Sequence, residues 1–219
     1  MIYAENIMIC IMVPFLIVFL FVRGKVKQFV LALLLGMAAC LLGAYVGGFL
    51  GTVSGMNAND TAVYISPMIE EIFKFFPFLF YLFLFDPEDD SLIVVAMGIG
   101  VGFASFENCC YILSYGANKM VYVLIRGMAV GVMHIVSMLS LSFGLLLARR
   151  LKVLSFSIVL GALSLAMIFH SIYNLLVSKE GITSQIGYAL PLLTAFVLYL
   201  YYRKFSSEQI ADEDAFISD

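Results

Sequence analysis

Residues 62–85 are apolar and long enough to cross a bilayer, yet Glu70, Glu71 and Lys74 stand in the middle of them. A charge at that depth costs several kcal/mol unless it faces protein or water, so other helices must supply its partners. On a helix Glu70 and Lys74 are i,i+4 neighbours, and Glu71 stands i,i+3 from the same lysine. One amine can therefore compensate both acids, which leaves a net negative pocket. Composition excludes a soluble domain with a large core, since 63% of the 219 residues are hydrophobic and 12% are charged. The expected fold is all-α, a polytopic bundle of about seven transmembrane helices forming one domain over 1–205. The acidic stretch 206–219 reads as a flexible cytoplasmic tail.

Spans are expected at about 2–22, 28–53, 62–85, 92–115, 120–148, 153–178 and 186–202. The first has no basic start and no small-residue cleavage site, and reads as an uncleaved anchor. The second repeats glycine at 43, 47, 51 and 55, a small-residue seam that serves a homodimer as readily as internal packing. Pro67 and Pro77 are expected to interrupt the third span, and Gly98, Gly100 and Gly102 to loosen the first half of the fourth. Cys10, Cys40, Cys109 and Cys110 have neither disulfide nor zinc spacing and read as small packing hydrophobes. Nothing in the charge pattern points to nucleic acid, the net charge being −3.

Orientation follows from the basic residues of the short connections. With the amino terminus outside, the inner side receives Arg23, Lys25, Lys27, Arg149, Arg150, Lys152, Arg203 and Lys204, and the outer side receives Lys119 and Lys179. The expectation is amino terminus out and carboxyl terminus in, with the acidic loop 86–91 as the one dissonant inner connection. Depth along each span can then be compared. Glu70 and Glu71 lie about eight residues after their span enters from outside, and Glu107 and His170 about eight before theirs leave, which is roughly 12 Å below that face. Asn174 is one turn above His170 on the same helix face, and His134 is deeper unless its helix projects beyond the bilayer.

Carboxylates converging with both histidines of the chain support hydrolysis in two ways. A glutamate can act as general base on water while another group stabilises the oxyanion. Alternatively, a divalent metal such as zinc, with candidate ligands Glu71, Glu107, His134 and His170, can acidify the water. No His-Glu-x-x-His motif is present, and the sequence itself requires no cofactor.

Four features together resemble the PrsW intramembrane proteases, relatives of the type II CAAX prenyl endopeptidases and of the Aph scaffold subunit of γ-secretase. They are Glu70-Glu71-x-x-Lys74, Phe103-x-x-x-Glu107-Asn108, the lone His134 on the following span, and His170-x-x-x-Asn174. The resemblance covers 62–178 and implies an enzyme of the bacterial cytoplasmic membrane. Such an enzyme cuts single-pass membrane proteins near the extracytoplasmic face, an anti-sigma factor being a common substrate. It further implies that Glu70 and Glu71 include the general base, with Lys74 holding their geometry and Phe103 and Asn108 in support. Glu107 stands where the CAAX enzymes are described with a histidine. His134 assists the base or the leaving group, and His170 with Asn174 stabilises the oxyanion; the family is described both as metal-dependent and as glutamic, and the metal-free glutamic mechanism is the favoured expectation of the two. The rival class is a non-catalytic scaffold like Aph. Arg126 reads as a structural residue that snorkels to the outer boundary, and Phe103 with the phenylalanines of 73–85 as packing or lipid-facing groups.

Overall fold

The computed structural model of the chain describes residues 4–116 and 119–218, with the side chains of 6, 7, 10, 115 and 201–218 outside that description. The side chains of Cys10 and of the acidic tail therefore lie outside the description. Among those described, every regular element is helical. The principal helices are α1 (Ala4–Phe21), α2 (Gly24–Val53), α3 (Ser66–Phe85), α4 (Asp89–Tyr115), α5 (Met120–Arg150), α6 (Ser155–Val177) and α7 (Ile182–Ser218). They follow the seven expected spans in order, and α7 continues as helix through the acidic tail to Ser218. Five of them, α2 and α4 to α7, contain stretches long and apolar enough to cross a membrane. The chain is a multi-pass membrane protein.

Local sequence explains the boundaries. α3 begins with Pro67 in its first turn, where the fixed φ of proline suits the helix, and ends at Asp86, which turns the chain out at φ 37°. α4 opens with Asp89 and Asp90, and α5 closes with Arg149 and Arg150, each charge suiting the helix end it occupies. The expected interruption at Pro77 does not occur. α3 passes through it without a break, as membrane helices can when neighbours satisfy the freed carbonyl.

The glycines do the opposite of loosening the bundle. A Cβ on Gly102 would overlap the Leu33 carbonyl, one on Gly36 the Ile99 carbonyl, and one on Gly100 would stand 2.9 Å from the His134 carbonyl. These residues let α2, α4 and α5 approach backbone to backbone. The seam on α2 is likewise spent inside the molecule. Gly43 faces Glu70 and Phe73, Gly47 faces Ser66 and Gly51 faces Thr61, whereas Gly55 sits in the following turn at φ +67°. Gly102→Ala is expected to cost about 1–3 kcal/mol, because the obstructing atoms are backbone and cannot step aside. Gly127→Ala, which meets nothing within 4 Å, is expected to be neutral or slightly stabilising. Melting of the two purified variants in detergent checks the contrast, and equal melting temperatures would refute the close-packing account.

The acidic loop after α3 has partners. Arg149 donates to the Pro87 carbonyl at 2.8 Å and pairs with Asp86 at 3.2 Å, while Lys25 pairs with Asp90 at 3.0 Å. The start of α2, the α3–α4 connection and the end of α5 therefore share one face of the bundle. Phe78 is fully buried in the core on this side, with Leu92, Ala96, Ile99 and Met138, while Phe76, Phe80 and Phe83 of the same helix face outward. Glu70 near the start of α3 and Glu107 in the last third of α4 lie toward the other end.

Candidate active site

Before α3 the backbone forms a short helical turn, Ala58–Asp60, and then a π-helical turn, Thr61–Ile65. Glu70 and Glu71 follow it, about 100° apart around the helix, and so they face different neighbours. Glu70 lies over Gly43 of α2, whose lack of a side chain makes the room. Glu71 points to the centre of the bundle and is fully buried with Lys74.

Lys74 has three N–H donors and uses them all. They go to Glu71 Oε1 at 2.6 Å, Ser137 Oγ at 2.8 Å and His134 Nδ1 at 3.0 Å. None is left for Glu70, so the sequence expectation that one amine serves both acids is corrected. Ser137, which the sequence reading passed over, stands one turn beyond His134 on α5 and donates its own hydroxyl to the His134 carbonyl at 3.0 Å. That i,i+3 spacing was the available signal.

An ammonium cannot accept, so His134 Nδ1 must, and the proton lies on Nε2, which donates to Glu107 Oε2 at 2.6 Å. Glu107 gives its other oxygen to Arg126 at 3.2 Å. On the opposite side of the cluster His170 Nδ1 donates to Glu71 Oε1 at 2.8 Å, which leaves its Nε2 as a lone-pair nitrogen 3.7 Å from Glu70 Oε2. The two imidazoles meet edge to face, ring centres 5.0 Å apart. α3, α4, α5 and α6 thus share one polar chain that runs Arg126, Glu107, His134, Lys74, Glu71, His170 and ends beside Glu70. His134 reaches the level of the carboxylates because α5, at 31 residues and about 46 Å, is longer than a ~30 Å hydrocarbon core is thick.

Among these groups the carboxylates outnumber the cations, with Glu71 matched by Lys74 and Glu107 by Arg126. Glu70 is the carboxyl group left without a lysine or arginine partner. Its Oε2 has no hydrogen-bond partner, yet its side chain keeps 16% exposure where that of Glu71 has none. Of the two side chains, only that of Glu70 has any exposed surface.

Phe103 is fully buried, stacked on His134 at 4.7 Å between ring centres and with the Lys74 ammonium 5.2 Å over its ring. It packs the site and does not face lipid. Asn108 stands beside Glu107 with a buried, unpartnered Oδ1. Asn174 lies elsewhere than expected, its Nδ2 donating at 2.9 Å to the Ala62 carbonyl in the π turn. Arg126 does not snorkel. It pairs with Glu107 and rests on the Tyr111 ring, its guanidinium carbon 3.3 Å from the ring centre. The phenolic oxygens of Tyr111 and Tyr122 are 2.9 Å apart beside it.

Glu70, His134 and His170 each offer a ligand atom within 4.8 Å of the others, and this set could hold a metal ion. Of the four ligands named from the sequence, the two histidines belong to it, and Glu70 takes the place of Glu71 and Glu107. The donor chemistry fits a divalent metal. His170 turns Nδ1 to Glu71 and keeps Nε2 for a ligand, as metal-binding histidines do, and Glu70 Oε2 is buried without a partner, whereas His134 would have to exchange the Lys74 ammonium at Nδ1 for the metal.

No curated protein and no solved structure matches the chain. A family model described as PrsW family intramembrane metalloprotease matches residues 14–202, which spans all the site residues above.

Proposed function

The chain belongs to the PrsW family of intramembrane proteases, and on that premise we propose that Glu70 is the general base with which it hydrolyses a peptide bond of a single-pass membrane protein. The observation that carries this reading is the buried, unpartnered Oε2 of Glu70 facing the lone-pair Nε2 of His170 at 3.7 Å. A water bonded to both at about 2.8 Å stands at the apex of a triangle on that base. Glu70 takes its proton as the oxygen attacks the scissile carbonyl, then returns it to the leaving amine. Glu71 holds His170 in the required tautomer, and Glu107 does the same for His134. Lys74 supplies positive charge near the developing oxyanion, where the low dielectric makes preorganised charge effective, and Arg126 balances Glu107 at the far end of the chain.

A metal held by Glu70, His134 and His170 would polarise the carbonyl and lower the pKa of the attacking water. The routes part on composition. A resident metal gives about one equivalent in the purified chain and is lost in His170→Ala, whereas water activation by Glu70 alone leaves both proteins metal-free. Elemental analysis of the two preparations decides between them.

Taken with the excess of basic residues on the connections that share a face with Lys25 and Arg149, the reading places the site toward the extracytoplasmic side of a bacterial cytoplasmic membrane. The substrate class is tested by comparing new protein amino termini in membranes carrying the wild-type chain and Glu70→Gln at matched abundance. Termini near the outer ends of single-pass helices, present with the wild type alone, are the expected result. Identical profiles from two folded, abundant chains would overturn the assignment of proteolysis to this site.

A further inference from the structure

The π turn ahead of the glutamates has an unusual backbone need. In it the Ser66 N–H pairs with the Thr61 carbonyl five residues back. The same register directs the Ala62 carbonyl to position 67, and Pro67 has no N–H. A carbonyl without a donor is costly inside a membrane protein, and a helix can hold such a turn only if something else supplies one. Asn174 supplies it from α6, at 2.9 Å.

We propose that Asn174 is a positioning residue that replaces the hydrogen bond Pro67 cannot make and thereby holds the π turn in place. The turn matters to the chemistry through helix phase. It inserts one residue relative to an α-helix, which rotates everything after it by about 100°. Its upstream end is held by Thr61 against Gly51 and by the Asn57 side chain, which caps the Asp60 N–H at 2.9 Å. Relaxing the turn to α geometry would set Glu70 at the angular position of Glu71, and Ile69 at that of Glu70. His170 would then face the wrong carboxylate, Lys74 would turn away from His134 and Ser137 while keeping Glu71, and the carboxylate beside Gly43 would be replaced by isoleucine. One face of α6 thus performs two tasks a turn apart, His170 orienting on Glu71 and Asn174 fixing the backbone that brings Glu71 there.

The test is a double-mutant cycle on the full chain in detergent, because Pro67→Ala restores the missing donor from within the helix. Asn174→Leu is expected to speed amide exchange across 62–70 about tenfold, to lower the melting temperature by about 5 °C and to cut the yield of new termini about tenfold. Pro67→Ala alone leaves exchange and yield near wild type. Added to Asn174→Leu, it is expected to bring both back to within about twofold, since the alanine N–H takes the Ala62 carbonyl. A yield that stays low in the double variant overturns the proposal, for that is the behaviour of an amide spent on the reacting carbonyl. Should Asn174→Leu fail to fold, recovery of a folded, melting species on adding Pro67→Ala supports the proposal, and no recovery refutes it. The activity readout rests on the proteolytic reading of the Glu70 site. Exchange and melting do not, so a wild-type chain that generates no termini would sink that reading while the cycle still decides the role of Asn174.

Discussion

Glu70→Gln is expected to reduce the yield of new termini by ~100-fold or more in a chain that melts within a few degrees of wild type. Glutamine keeps the size and an acceptor oxygen but cannot take a proton from water. Stability is spared because Glu70 makes no ion pair with Lys74 and its Oε2 holds no hydrogen bond that the substitution would break. Glu71→Gln separates from it. Glu71 Oε1 holds both Lys74 and His170, so its loss is expected to lower the melting temperature as well as the yield. The pair of variants, compared by terminus profiling and by melting in detergent, tells base from scaffold. An active Glu70→Gln, or one as unstable as Glu71→Gln, would remove Glu70 from the role given to it.

The largest effect on stability is expected from Lys74→Met. It leaves Glu71 charged with no exposure, and it strips the donor from His134 Nδ1 and Ser137 Oγ together. Removing one partner of a buried ion pair costs about 3–5 kcal/mol, or a fall of roughly 10 °C or more in a chain of this length. The double variant Lys74→Met with Glu71→Gln is expected to recover a large part of that loss, because the penalty lies in the stranded carboxylate rather than in the missing attraction. Simple addition of the two single losses would show that Glu71 and Lys74 do not depend on each other, and the polar chain described above would have to be redrawn.

Some parts of the molecule were legible without a fold. The seven helices could be placed because hydrophobic runs and their breakers are local, and α3 and α4 start and stop close to where Pro67, Asp86 and Asp89 direct. The common depth of Glu70, Glu71, Glu107 and His170 was also readable, since rise per residue converts position in a span into height. It put these residues at one level, and in the structure Glu107 meets His134 and Glu71 meets His170.

Height along the bundle axis is fixed by counting residues, but direction around each helix depends on which neighbour packs against it, and that belongs to the tertiary structure. The sequence thus paired Lys74 with both glutamates. Packing against α5 assigned all three lysine donors to Glu71, His134 and Ser137 and turned Glu70 toward Gly43 of α2. For the same reason Gly98, Gly100 and Gly102 read as slack in the chain and are tight in the bundle, and Arg126 read as an anchor at the boundary and is the partner of Glu107. Asn174 is one turn from His170 on any helical wheel, yet its bond goes to a backbone carbonyl that the sequence of α6 cannot reveal. That carbonyl is free because a π turn precedes Pro67, and a shift of helical phase becomes definite when the surrounding helices hold both ends of it.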